Sequence, residues 1–556
     1  MDVASSGRPG DAPARSLLLA AVAALVLNAA LSFNNVWPTL WIKPDLRLAP
    51  ELVAVWVAML AAAWRYGRVP RILVGALAAL FALLVLGRYA DVTVPAVLGR
   101  EINLYWDGAQ LPRFVWVTAN ERGWGMLAGI AAAALLGVYL LYRAARVLLG
   151  RVARDLVPRA LRSPAALGVT AVAAVLAVLN AAGQQWTWPY FSKPVTASVL
   201  RQAVILRTAW SPERLARALP PSPPFASDLA ALGRRDLHVL FLESYGAVAY
   251  DDAGLRGALA EPRAALEHAI AASGRAVVSA FVRSPTFGGA SDLAHLSLLS
   301  GIDLSDPLRH DLLLASDRPT LVSFLRAHGY ESHGVYPALS WAWPESVFYR
   351  YTRLVDGRDL TYAGPAFGYW RIPDQFAMAR YEAMHPVNAD SPPRFVFFGT
   401  INTHAPFRPV PPYQPDWARL LGDTPFDPGE AERAIAEGTG WHDLRPAYVR
   451  ALGYQYRWLA GHVARPRPRE AVMVLIGDHQ PLGAVSGPGA RWDVPVHVVA
   501  PPGPLLDALL ARGFRPGLEP APQSLGGMHD LTTILLEAFD GRSAPALAAA
   551  AQSRLR

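Results

Sequence analysis

The sequence predicts a two-part protein, a multi-span α-helical membrane domain followed by an α/β domain whose mostly parallel sheet is covered by helices. Three observations predict it. Apolar residues concentrate before residue 185 in five long segments. From Leu237 onward, short apolar runs of strand length alternate with helical stretches. Three of those runs end on metal-ligand or acid/base residue types, as parallel strands do when their carboxyl ends carry a site. At 556 residues and 53% hydrophobic, the chain is too long for one ordinary domain and too apolar for a purely soluble one. It has no cysteine, which excludes a disulfide framework and a thiolate zinc site. The net charge of +8 comes from arginines scattered through loops, without the basic-aromatic stripe that nucleic acid requires.

Residues 1–15 are polar and rich in Gly, Pro and Ser, and read as a cytoplasmic tail. A membrane domain over 16–183 follows, with apolar segments Ser16–Phe33, Leu48–Trp64, Ile72–Leu86, Trp124–Leu141 and Ala165–Ala182. Each is near the ~17–25 residues a spanning helix needs. A cleaved signal peptide would explain the first segment alone, not the four after it. Arginines fix the orientation. Arg8 and Arg15 precede the first span, Arg65, Arg68 and Arg71 separate the second and third, and Arg143, Arg146, Arg151, Arg154, Arg159 and Arg162 separate the fourth and fifth. These regions should be cytoplasmic, which places everything after Ala182 outside. The long segment Arg88–Arg113 mixes aromatic and charged residues and reads either as an interfacial element or as an amphipathic connector.

A juxtamembrane linker over 184–235 carries the aromatic anchors Trp186, Trp188, Tyr190 and Phe191, a helical piece near Ala197–Leu219 and the break Pro220–Pro224. The outer domain, 236–556, then alternates. Helices are expected at Leu255–Ala272, Pro319–His328 and Leu531–Phe539, and strands at Val239–Leu242, Ala276–Val282, Phe395–Phe398, Ala471–Ile476 and Val494–Val499.

The chemistry lies at the strand ends. Val239–Leu242 stops on Glu243, Ala471–Ile476 runs into Gly477-Asp478-His479, and Phe395–Phe398 leads through Gly399 to Asn402, Thr403 and His404. A single glutamate at a strand end is ordinarily just solvated, but here the pattern recurs three times. After the Ala276 strand, Gly288-Gly289-Ala290-Ser291 puts Ser291 where an N-cap would open the helical run Asp292–Ser300. Most such serines only cap. A helix amino terminus also attracts anions, so this hydroxyl is placed to attack phosphorus if something stabilises its deprotonated form. A divalent cation held by Glu243, Asp478 and His479 would do so.

These motifs, in this order, resemble the alkaline phosphatase superfamily: strand-Glu243, Gly-Gly-x-Ser291 at a helix start, Asn-Thr-His404-x-Pro-Phe, and Gly-Asp478-His479-Gln-Pro. Within it they resemble the membrane-anchored, sulfatase-like branch of lipoteichoic acid synthases, phosphoglycerol transferases and phosphoethanolamine transferases. The resemblance implies one Mn2+ or Zn2+ on Glu243, Ser291, Asp478 and His479, Ser291 as nucleophile, and substrate contacts from His404 and from Trp343 in S-W-A-W-P-E. It also implies a multi-pass protein of the bacterial inner membrane with a periplasmic catalytic domain, a membrane phospholipid donor and an envelope glycan or lipid acceptor. Two departures stand out. Serine replaces the usual threonine, and Glu345 stands where the synthases carry an arginine, which implies either a different headgroup or a different arginine, such as Arg350 or Arg353.

His295, one turn after Ser291, reads as either site-facing or packed, His442 and His529 are open to a supporting role, and His497, inside a strand, reads as structural. None of them is taken as a ligand. The leading functional reading is two-step transfer of a phosphoglycerol or phosphoethanolamine headgroup through Ser291. A phosphatase, phosphodiesterase or sulfatase of the same fold is the alternative, and a non-catalytic sensor is the third reading. A formylglycine sulfatase is excluded, because there is neither cysteine nor Ser-x-Pro-x-Arg at the nucleophile.

Overall fold

The computed structural model describes residues 11–209, 219–340, 343, 345–388 and 390–541. Residues 1–10 of the expected tail and 210–218 of the expected linker helix lie outside them. The chain forms two compact units, one comprising Met1–Val97 and Glu101–Trp210, the other Leu98–Arg100 with Ser211–Arg556.

Among the described residues of the first unit, four helices are long and apolar enough to cross a membrane: Ala14–Ser32, Arg71–Leu98, Trp124–Leu161 and Pro164–Ala181. The remaining expected span forms the 17-residue helix Pro50–Tyr66. Helix Asp11–Ser32 packs along Trp124–Asp155, and Pro50–Tyr66 along Pro164–Ala181. Leu27, Leu31, Val55, Met59, Phe81 and Leu149 fill the space between helices. The Arg88–Arg113 segment is mostly helical, continuing the third helix to Leu98 and then forming Leu104–Arg122, whose first turn is capped by Asn103 accepting the Trp106 N–H at 3.1 Å.

The two ends of this unit differ in chemistry. At one, a short antiparallel pair, β1 (Asn34–Asn35) and β2 (Ile42–Lys43), sits beside a buried guanidinium. Arg88, 2% exposed, donates to the Phe33 carbonyl at 2.8 Å and to Asn34 Oδ1 at 3.0 Å. At the other, Arg68, Arg71, Arg146, Arg154 and Arg162 surround a cavity of about 1060 Å³. Pro50–Tyr66 runs from the first end to the second. Its Glu51 accepts the Thr196 N–H at 3.0 Å, and Ala63 and Gly67, at the far end of the helix, line the arginine cavity.

The second unit is built on a nine-stranded sheet: β3 (Asp236–Leu242), β4 (Ala276–Arg283), β5 (Glu331–Tyr336), β6 (Arg353–Asp356), β7 (Arg394–Gly399), β8 (Ala471–Gly477), β9 (Asp493–Ala500), β10 (Arg515–Pro516) and β11 (Ser524–Gly527). Its order is β10-β4-β9-β8-β3-β7-β5-β6, with β11 on β4. Parallel pairing joins β8, β3, β7, β5 and β6, as the alternating pattern predicts. The other side departs from a mostly parallel sheet, because β9 is antiparallel to both β8 and β4. The connection from β8 to β9 carries only the four-residue helix Gly483–Ser486 and brings the chain back antiparallel beside β8. Helix Leu444–Ala464 packs along Ala260–Ala272 over the sheet. Beneath them, His497 is buried with Ser279 Oγ 2.6 Å from Nδ1 and Tyr245 Oη 2.9 Å from Nε2, the satisfied environment of a structural histidine.

Candidate active site

Register brings the site residues together. β3 lies between β8 and β7, with Leu242 opposite Gly477 and Phe241 opposite Gly399. Glu243, Asp478 and Thr400 therefore leave three adjacent strands at one level. Gly477 is required there, since a Cβ on it would lie 1.9 Å from the Tyr245 carbonyl oxygen in the turn after Glu243.

Glu243, Asp478 and His479 are 5%, 1% and 2% exposed, and one ligand atom from each lies within 4.8 Å of the others. His479 Nε2 is 3.5 Å from both Glu243 Oε1 and Asp478 Oδ2. Ser291 Oγ donates to Glu243 Oε2 at 3.2 Å and lies 3.3 Å from His479 Nε2. Burial first, and the Glu243 charge second, push the Asp478 carboxyl up to about 7. Burial opposes protonation of His479, but Asp478 and Glu243 outweigh it and raise its pKa. Two buried carboxylates this close repel one another, and a positive charge between them relieves the repulsion. With one imidazole and a hydroxyl alongside, the donor set fits a divalent cation of the Zn2+ or Mn2+ kind.

Ser291 departs from the expected cap. It is the first residue of the helix Ser291–Ser300, and the cap position belongs to Ala290, which has φ 64° and makes no side-chain cap. The hydroxyl is therefore spent on Glu243 and His479 and not on its own helix.

The loop after β7 braces the site. Thr400 Oγ1 accepts the Glu243 N–H at 2.9 Å and Thr403 Oγ1 donates to the Glu243 carbonyl at 2.6 Å. Asp374, fully buried at the start of helix Asp374–Met384, accepts the N–H groups of Ile401 (2.8 Å) and Asn402 (2.9 Å), while Asn402 Oδ1 accepts the Asp374 N–H at 2.7 Å. Asp478 Oδ1 accepts the N–H groups of Ser244 and His479 at 2.8 and 2.6 Å. Sequence reading missed Asp374, Thr400 and Ser244. Nothing in D-Q-F-A-M-A-R marks Asp374, although the Thr on each side of Asn402 was visible beside the histidine motif.

His404, half-buried, donates through Nδ1 to the Ala405 carbonyl at 2.8 Å, which leaves Nε2 to accept. Burial lowers its pKa, and the Asp478 and His479 charges bear on it. Trp370, another residue the sequence did not single out, sets its ring edge-on to His404 at 4.9 Å. Trp343 packs against Tyr336 (4.9 Å) and Tyr349 (5.0 Å), and the Tyr336 ring lies 6.5 Å from that of His295. His295 is packed between Phe241 and Phe397. Neither suggested arginine joins the site. Arg350 pairs with Asp317 at 2.8 Å, and Arg353 opens β6, a strand parallel to its neighbour, at the end of the sheet opposite Glu243.

No protein-family model matches the chain. A Rhizobium meliloti (strain 1021) protein named for cyclic beta-1,2-glucan modification is 24% identical over 207 residues, which are 36% of this chain and 30% of that protein. The match thus spans less than a third of the relative's length. Among solved structures, the chain is similar to a protein in the alkaline phosphatase superfamily from Vibrio parahaemolyticus (14% identity, TM-score 0.35, covering 61% of this chain and 74% of that one). It is also similar to the lipoteichoic acid synthase LtaP from Listeria monocytogenes (11% identity, TM-score 0.36, covering 60% and 77%).

Proposed function

We propose that this protein transfers a phosphorus-containing headgroup, phosphoglycerol or phosphoethanolamine, from a membrane phospholipid to an envelope glycan or lipid through a covalent Ser291 intermediate. The observation that carries the reading is the position of Ser291 Oγ, at a helix amino terminus and within hydrogen-bond reach of both Glu243 and His479. The relative named for cyclic beta-1,2-glucan modification supports a glycan acceptor.

A divalent cation bound by Glu243, Ser291, Asp478 and His479 would supply positive charge to the serine oxygen and the phosphoryl group. The chain's own residues do the rest. In the first step Ser291 Oγ bonds to phosphorus as the bond to the lipid hydroxyl oxygen breaks. Glu243 takes the serine proton, and solvent protonates the departing lipid. The free N–H groups at the start of the helix face the phosphoryl oxygens. In the second step an acceptor hydroxyl bonds to phosphorus while the Ser291 oxygen leaves and recovers its proton from Glu243. His404 Nε2, available as an acceptor, takes the incoming hydroxyl's proton and releases it to solvent. Trp343 and Trp370 are the aromatic faces offered to the headgroup and sugar.

In this reading the first unit crosses the bacterial inner membrane five times and the catalytic domain is periplasmic, close to lipid headgroups. Incubating the full chain with a phospholipid carrying a heavy-isotope headgroup and mapping its peptides by mass spectrometry tests the mechanism. The adduct should sit on Ser291, disappear in Ser291→Ala and after chelation, persist in part in Ser291→Thr, and discharge onto added glucan. An adduct elsewhere, or a fully active Ser291→Ala protein, rejects Ser291 as nucleophile. Discharge to water alone makes the protein a hydrolase.

A further inference from the structure

The structure assigns a second anion site to the outer unit, a cavity of about 250 Å³ at the amino-terminal end of the sheet that takes a small oxyanion such as phosphate. The cavity is lined by Asp236 and His238 of β3 and by Arg394, the first residue of β7. Glu243 lies at the other end of β3, so a strand of seven residues, roughly 23 Å, separates this cavity from the proposed nucleophile.

Charge selects an anion. Arg394, Arg465, Arg467 and Arg469 line the cavity against two carboxylates, Asp236 and Glu382. Glu382 is shared by Arg465 and by Arg467, whose Nη1 is 3.4 Å away, and Asp236 is 3.1 Å from Arg469. Arg394 is held by the carbonyls of His385 (2.5 Å) and Pro386 (3.0 Å). With Glu331 3.7 Å from Arg394 Nε, four guanidiniums face three carboxylates, and the positive excess favours an anion.

Donors are waiting for it. His238 is 5% exposed, lines the cavity, and has no hydrogen-bond partner for Nδ1 among the described residues. Arg467 Nε likewise has none, on a side chain 11% exposed. Buried polar atoms in a folded protein are rarely left so, and here two of them belong to residues that line one cavity. Burial, with the charges of Arg467 and Arg394 behind it, holds the His238 pKa well below the usual range. In the tautomer that carries its proton on Nδ1, the ring offers a donor to an oxyanion within this positive field.

The test must separate this site from the catalytic one. We would use full-length Ser291→Ala protein in detergent with excess chelator, and follow its unfolding midpoint against inorganic phosphate, since a ligand that binds only the folded state raises the midpoint with concentration. The midpoint should rise, and His238→Phe, which fills the cavity, or Arg467→Gln should weaken the apparent phosphate affinity at least tenfold. An unchanged response in both variants, or no response in the parent, overturns the site. Should either variant fail to fold, crystals of the otherwise unaltered protein soaked in tungstate should show an anomalous peak within hydrogen-bond reach of His238, and a map without that peak overturns the site. Glycerol phosphate in parallel identifies the source. A response no stronger than that of phosphate supports the site for a free oxyanion, and a stronger one supports it for a headgroup.

Discussion

At Ser291 the backbone of one neighbour decides what a hydroxyl can do. Serine after a Gly-Gly turn and before an apolar run carries the signature of a cap, and a cap would spend its oxygen on its own helix. Ala290 takes the cap position instead, in the left-handed region that costs a residue with a Cβ roughly 1–2 kcal/mol. Ala290→Gly should recover about 1 kcal/mol of that strain, less glycine's own entropy cost. Turnover should fall, because a freer backbone holds Ser291 less firmly between Glu243 and His479. Chemical unfolding and steady-state rates check this pair of effects, and a variant both more stable and more active contradicts it. Asp374 makes the complementary case, a residue with no motif to advertise it. Its role comes from two N–H groups 27 and 28 positions along the chain, a pairing that only the fold creates. Asp374→Asn presents an amide N–H to one of those donors and should cost about 1–3 kcal/mol. It should also lower kcat while the metal content of the purified protein is retained, since no proposed ligand changes. Loss of metal with kcat per bound metal unchanged would show that Asp374 supports Glu243 alone and not the His404 loop.

Among elements, the three central strands were legible because a strand buried on both faces reads as an unbroken apolar run, and each ran directly into its functional residue. β5 and β6 were not, since E-S-H-G-V-Y and R-L-V-D carry too few apolar residues to stand out. The antiparallel setting of β9 lies in its pairing with β8 and β4, which no periodicity encodes. The helix Pro50–Tyr66 matters most, because the side on which the catalytic unit emerges depends on whether this helix crosses. Its 17 residues reach about 25 Å, a little short of the roughly 30 Å hydrocarbon core. It nonetheless joins the end of the first unit that holds Thr196 to the end lined by arginines. The proposed topology counts it as one of five crossings. A reporter active only outside the cytoplasm should be active when fused after Gln184 and silent when fused after Arg154. Silence at Gln184 would mean an even number of crossings and a cytoplasmic catalytic unit.

For the molecule as a whole, buried titratable groups set the response to acid. His238, His295, His333, His462 and His497 are each under 9% exposed in the outer unit. Burial lowers every one of them, His295 to about 4 and His333 and His497 to about 3. Near pH 5 His295, His333 and His497 are neutral in the fold, and they take up protons on unfolding because an exposed histidine titrates near 6.5. Stability contributed by such groups is present above that value and is lost as the pH falls toward the folded values. Two carboxyls act in the opposite sense. Asp374 and Asp478, pushed up to about 7, are protonated in the fold at pH 5 and release their protons on unfolding. The histidines taking up protons outnumber the two carboxyls releasing them, so unfolding takes up protons on balance, each worth about 1.4 kcal/mol per pH unit. The chelator-treated full chain should therefore unfold at a lower temperature at pH 5 than at pH 7, with loss of metal removed as a cause. His497→Gln should shallow that dependence by about one proton, even where its lost hydrogen bond to Tyr245 lowers the midpoint at every pH. A midpoint independent of pH between 5 and 7, or an unchanged slope in His497→Gln, would mean that these histidines are protonated within the fold and that the packing around them admits charge.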